Sequence, residues 1–214
     1  PFTKADTLFT SKTKQKALFS FVKIDLIYLF KSIPLISVSA LLLFYVGVEM
    51  YGDIDMGIRL PQQYASSGLL AKTINETFYF IGALVVIYFT NDVYWRANAS
   101  GFSIIQNTTY YAKERFLGHS ISMVFLIVFL TALMLLEAII FQLIFNYPFI
   151  DWQAYFGVLV FNTLPLILLS LLLLFMNAIS KNKSVALGVS ILFFLLFVTP
   201  ISKQILTNPC LLYT

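Results

Sequence analysis

Two carboxylates stand inside long apolar runs: Glu76 in Leu69–Thr90 and Glu137 in Ser120–Phe145. A charged acid at mid-bilayer costs about 2.5–3.5 kcal/mol on insertion scales, so it reads first as a functional group. Each lies about two turns from the same end of its run. They are expected to share a level, to face one cavity, and to carry protons or line a transport path. The structural alternative is that each is protonated, or bonded to a neighbouring helix, and holds a bundle together. Lys72, one turn before Glu76, is spaced to pair with it. Asn162 adds a polar group that can bond across helices. Pro165, just after it, removes a backbone donor and predicts a kink.

A second group lies between two apolar runs, within 91–119. Phe102, Ile104 and Ile105 are apolar residues flanked by Arg96, Lys113 and Arg115. Apolar anchors beside charge suit a surface that something covers. The alternative is that they lie in the membrane interface or pack under the following run.

Other chemistry is excluded by inventory. There is no G-x-x-x-x-G-K-[ST] phosphate loop. His119 and Cys210 are the only histidine and cysteine, too few for a His/Cys zinc site or a disulfide framework. A Ser/His/Asp triad would have to use His119, at the mouth of a span. No catalytic, cofactor-binding or metal-binding residue is therefore expected. The sequons at Asn75, Asn98 and Asn107 fall in a span or on the expected inner side and carry no weight.

The elements that must position these residues are set by composition. Apolar residues make up 59% of the 214, charged residues 11%, and mean hydropathy is +0.86. Soluble domains run at about 45–50% apolar and about 25% charged. A soluble fold could not hide so much apolar surface, and a disordered chain would not contain it. The composition predicts an all-α, polytopic helical membrane protein. Five runs approach the roughly 20 residues that a span needs. They are Ile33–Val48 (extended back to near Leu26, with Lys31 snorkelling), Leu69–Thr90, Ser120–Phe145, Ala154–Ile179 and Val185–Ile201.

Net charge is +4, and the basic residues punctuate the apolar runs, so they report topology and not nucleic-acid binding. With the N-terminus inside, the inner segments hold Lys4, Lys12, Lys14, Lys16, Lys23, Lys31, Arg96, Lys113, Arg115, Lys181 and Lys183. Only Arg59, Lys72 and Lys203 fall elsewhere. The positive-inside rule selects that orientation. In the leader, residues 1–32, Lys12, Lys16, Ser20, Lys23 and Lys31 share one helical face, which predicts an interfacial helix with lysines toward anionic head groups. Residues 33–201 form the transmembrane domain, with 91–119 as its one long inner segment. Residues 202–214 form an external tail. The chain begins at Pro1 without a signal peptide and ends soon after an apolar run, so a longer polypeptide is expected.

The segment reads Tyr94-Trp95-Arg96, Gly101-Phe102-Ser103-Ile104-Ile105, then Tyr110-Tyr111-Ala112-Lys113-Glu114-Arg115-Phe116-Leu117-Gly118-His119. This resembles the membrane subunits of type-2 ABC exporters. In that family an aromatic-Arg pair follows the second span, and a short coupling helix docks on the ATPase. The basic leader and the Asn182-Lys183 link are similar to the second permease half of bacterial permeases fused to a zinc aminopeptidase-like domain. The likeness runs from about Lys16 to Tyr213. It departs at Ser103, Gln106, Thr109 and His119, where acids, a proline and a lysine are usual. The resemblance implies a six-span permease half with five spans present here, in the bacterial inner membrane. Its partners would be an ABC ATPase subunit that binds the ATP, and a second permease half or a second copy. It implies Arg96, Phe102, Ile104, Ile105, Lys113 and Arg115 as the coupling residues. A non-transporting anchor or scaffold for an attached domain is the alternative function. A proton-coupled carrier using Glu76 or Glu137 lacks a visible inverted repeat.

Overall fold

A backbone in hydrocarbon must pair its own N–H and C=O groups, so apolar runs of this length fold as helices. The computed structural model describes residues 11–55, 64–101 and 111–197. Its elements are α1 (Ser11–Lys31), α2 (Ile33–Asp55), α3 (Ser67–Ala99), α4 (Ala112–Ile144), α5 (Trp152–Ile179) and α6 (Lys183–Phe197), with no strand among the described residues. Four of these, α2 to α5, are long and apolar enough to cross a membrane. The chain is a multi-pass helical membrane protein. Of the fifth expected span, residues 185–197 are described within α6, and its continuation to Ile201 lies outside the described residues, as does the 202–214 tail.

The helix ends differ from the sequence expectation in two places. First, α2 gains its length forward to Asp55 and not backward to Leu26. Ser32 is the reason. Its hydroxyl donates to the Leu29 carbonyl at 2.7 Å, closing α1, and accepts from the Leu35 N–H at 3.4 Å, capping α2. Pro34 then sits in the first turn, where no N–H is needed. Second, the 91–119 connector is mostly helix. α3 runs on to Ala99 and α4 begins at Ala112, so each is 33 residues long. The expected Ala154–Ile179 span is the single helix α5, with Pro165 inside it.

Local chemistry fixes the remaining ends. Ser66 accepts from Leu69 N at the start of α3, and Asp151 accepts from Gln153 N and Ala154 N at the start of α5. α4 closes with Asn146 at φ 55°, a left-handed residue for which Asn is suited. The Tyr147 N–H bonds the Gln142 carbonyl, and the Asn146 N–H bonds that of Leu143, the paired bonds of a Schellman turn.

α3 is the central helix. Over its most apolar stretch 56% of residues are buried, against 22% for α2. α3 and α5 run side by side in the same direction. Ser67 meets Asp151, Gly82 meets Leu166, and Trp95 meets Asn177. α1 and α2 follow α4 in the same sense, with Phe21 at Gly118, Phe30 at Phe129, Gly47 at Glu137 and Tyr51 at Phe145. Phe125, Leu136 and Leu143 on α4 and Phe161, Leu168 and Phe175 on α5 remain exposed, an apolar exterior suited to lipid and not to water.

Candidate functional site

Asp25 is the only acid in α1. On a helical wheel it falls opposite Lys16, Ser20, Lys23 and Lys31, all of which are exposed. It points with Val22 and Leu29 into the bundle and is 2% exposed. A lone carboxylate there needs partners, and two distant helices supply them. Arg96, in the last turns of α3, donates through Nη2 to Asp25 Oδ1. His119, two turns into α4, places Nδ1 2.5 Å from Asp25 Oδ2. One carboxylate thus ties α1 to α3 and α4.

The surroundings hold the cluster in place. The Arg96 guanidinium lies 4.1 Å from the centroid of the Tyr28 ring. Burial, then Asp92 through charge and a hydrogen bond, raises the Tyr28 phenol above its ordinary value, while Arg96 pulls it down. Trp95 Nε1 donates to Asn177 Oδ1 at 2.6 Å, and Asn177 Nδ2 donates to the Leu173 carbonyl at 2.8 Å, extending the network to α5. Tyr94 meets both Trp95 and His119 edge to face. Gly118 lets α1 come this close, since a Cβ there would stand 2.8 Å from Phe21 Cβ. Arg96 Nη1 is buried with no bonded partner.

Chemically this is a clamp. Asp25 is acceptor-only when ionised, and both oxygens are taken by groups that are, or can become, cationic. Among the described residues no group of three His, Cys, Asp or Glu could hold a metal.

The other sequence candidates fall elsewhere. Arg96 turns inward to Asp25 and Tyr28, so it does not offer its charge to a rim. Lys113 is exposed and Arg115 half-buried, both at the start of α4. Phe102, Ile104 and Ile105 lie outside the described residues. Glu76 is exposed on α3, 3.9 Å from Lys72, the pairing its spacing predicts. Glu137 instead packs against Gly47 of α2, with Oε2 buried and unpartnered. Among the described residues no hydrogen bond or ion pair joins the two acids. Asn162 is 1% exposed, and its Nδ2 also lacks a partner.

Sequence reasoning passed over Asp25, and the available signal was an acid on the apolar face of a lysine-striped helix. Sequence reasoning assigned no role to Gln142 either. At the opposite end of the bundle Gln142 Nε2 donates to the Ala65 carbonyl and to Ser67 Oγ, and Oε1 accepts from Tyr155 OH at 2.8 Å. That residue joins α3, α4 and α5 as Asp25 joins α1, α3 and α4.

Comparison with protein-family models, with curated proteins and with solved structures finds no match to this chain.

Proposed function

We propose that this chain is the membrane-spanning permease half of an ATP-driven exporter, working with a separate ATPase and with a second permease half or copy of itself. One observation carries this reading. α3 and α4 are each 33 residues, or about 50 Å, against about 30 Å of hydrocarbon. At one end Asp25, through Arg96 and His119, binds both of them to α1. A connector between two protruding helices that share one clamp would pass a push to three elements at once. Packed helices respond to such a push by discrete shifts and not by continuous bending. The sequence places Phe102, Ile104 and Ile105 on that connector, apolar residues suited to docking a partner.

On this reading the lysine-bearing end is cytoplasmic, in a bacterial inner membrane. ATP is bound and hydrolysed on the partner, and this chain supplies the moving spans. The test is to purify the full-length polypeptide from its native membranes and measure the ATP hydrolysis that accompanies it. The expected result is a co-purifying ATPase that is lost in an Ile104→Asp/Ile105→Asp double variant that still inserts and folds. A double variant with undiminished association and hydrolysis overturns the proposal, and so does wild-type protein carrying no ATPase.

A further inference from the structure

Beside the Asp25 clamp lies a cavity of about 240 Å³, bounded by Tyr94, Trp95, Asn98, His119 and Ser180 among others. Its volume is far above the ~10–15 Å³ that seats one water. Residues three and four apart share a face of a helix, so the wall of this cavity fixes what lies one turn deeper. On α3, Thr90 and Asn91 stand one turn inward of Tyr94 and Trp95. On α4, Ser122 and Met123 stand one turn inward of His119. On α5, Asn177 stands one turn inward of Ser180. These faces meet, since Tyr94 lies against His119 and Trp95 reaches Asn177. Each of the three helices therefore brings a buried polar side chain to one layer. A further turn inward the layer is apolar, with Val86, Leu126 and Leu173 in the core.

The hydrogen bonds of the polar layer do not close. Ser122 donates to the Gly118 carbonyl at 2.9 Å, and Asn177 is held by Trp95 and the Leu173 carbonyl. Thr90 Oγ1 and Asn91 Oδ1 have no partner, although Thr90 is 0% exposed and Asn91 2%. Among the described residues the other buried threonines, Thr73, Thr131 and Thr163, each donate to the carbonyl four residues back. Thr90 does not, so its hydroxyl is left for something else. Native interiors pair nearly all such groups, and where no protein group reaches them ordered water does. Water both donates and accepts. One molecule can donate to the Asn91 oxygen, which only accepts, and bond the Thr90 hydroxyl in either sense.

We infer that water enters the bundle through this cavity and is bound one turn deeper, at Thr90 and Asn91. The cavity is then the mouth of a hydrated recess between α3, α4 and α5 that ends at the apolar layer of Val86, Leu126 and Leu173. It brings solvent past the ion clamp to the edge of the apolar run of α3. The inference goes beyond the permease reading and needs only the packing of the helices. It therefore stands or falls separately from ATPase coupling.

The protein carries its own reporter. Met123 belongs to the polar layer and is 0% exposed. Met50 on α2 and Met134, about three turns further along α4, are equally buried. Brief X-ray radiolysis of the full chain in lipid nanodiscs makes hydroxyl radicals from water in place, and mass spectrometry reads the oxidation of each methionine. A buried methionine is labelled where water lies beside it.

Met123 is expected to be oxidised in the wild type. Thr90→Val/Asn91→Leu exchanges both polar groups for apolar ones of similar size. In that variant Met123 loses its labelling, while Met50 and Met134 keep their wild-type yields. If the double variant lacks wild-type helicity, Thr90→Val alone, which keeps the side-chain shape, lowers the Met123 yield in part. Two results overturn the inference. One is a Met123 that stays unlabelled in the wild type. The other is a Met123 yield that does not fall in a folded variant lacking these oxygens.

Discussion

Removing the Asp25 carboxylate is the sharpest test of the clamp. In Asp25→Ala, Arg96 and His119 keep their positions and lose their shared acceptor. Breaking one side of a buried ion pair costs about 3–5 kcal/mol, because the remaining charge stays buried. The Arg96 side chain is 23% exposed and keeps the Tyr28 ring beneath it. Those two facts put the loss near the lower bound, about 3 kcal/mol. For a chain of this length that corresponds to a fall of about 6–12 °C in thermal midpoint.

The assay is reversible unfolding of the full chain in micelles, followed by helicity, for Asp25→Ala, Arg96→Ala and the double variant. If the pair acts as a unit, removing both leaves no orphaned charge. The double variant is then more stable than the sum of the single losses predicts, by about 1–3 kcal/mol. Strict additivity, or an Asp25→Ala loss within the ~0.5 kcal/mol of an ordinary surface change, refutes the argument. Asp25→Asn separates charge from shape, since it keeps one acceptor oxygen but turns a donor toward the second partner. It is expected to fall between wild type and Asp25→Ala.

Two further outcomes follow from the packing and the charge distribution. Gly118→Ala places a Cβ 2.8 Å from Phe21 Cβ, an atom fixed to the α1 backbone. It should push α1 off α4 and lower stability by about 1–3 kcal/mol, and unchanged unfolding would refute the close approach. The orientation is checked in a Cys210→Ser background with an impermeant thiol reagent on intact cells. Phe149→Cys, at a position 77% exposed between α4 and α5, should react, and Lys181→Cys should not. Labelling of Lys181→Cys alone would invert the topology.

The cores of α2 to α5 were legible because lipid imposes one local rule, that a span needs about 20 apolar residues in a row. α1 was legible for a similar reason. Lys16, Ser20, Lys23 and Lys31 repeat at helical spacing, and all are exposed. The helix ends were less so. Asn91, Asp92 and Arg96 read as the start of a loop. They are helical because polar residues continue a helix once it leaves hydrocarbon, provided that partners such as Asp25 and Tyr28 await them. The neighbours of Glu76 and Glu137 were legible only in part. Spacing along one helix predicts the Lys72–Glu76 pair, whereas the approach of Glu137 to Gly47 depends on how α4 and α2 turn toward each other.

The sequence alone determined the membrane class, the helical periodicity and the crowding of basic residues toward one end, because these depend on neighbours within a few turns. Tertiary structure decided the clamp. Asp25 lies 71 residues from Arg96 and 94 from His119, and each has other acids or bases nearer in sequence. What brings these three together is the parallel course of α1 along α4, which Gly118 permits, and the reach of α3 past the apolar layer. Neither leaves a periodic mark. A contact between helices depends on which faces turn toward each other, and that is fixed only when every face has found its neighbour.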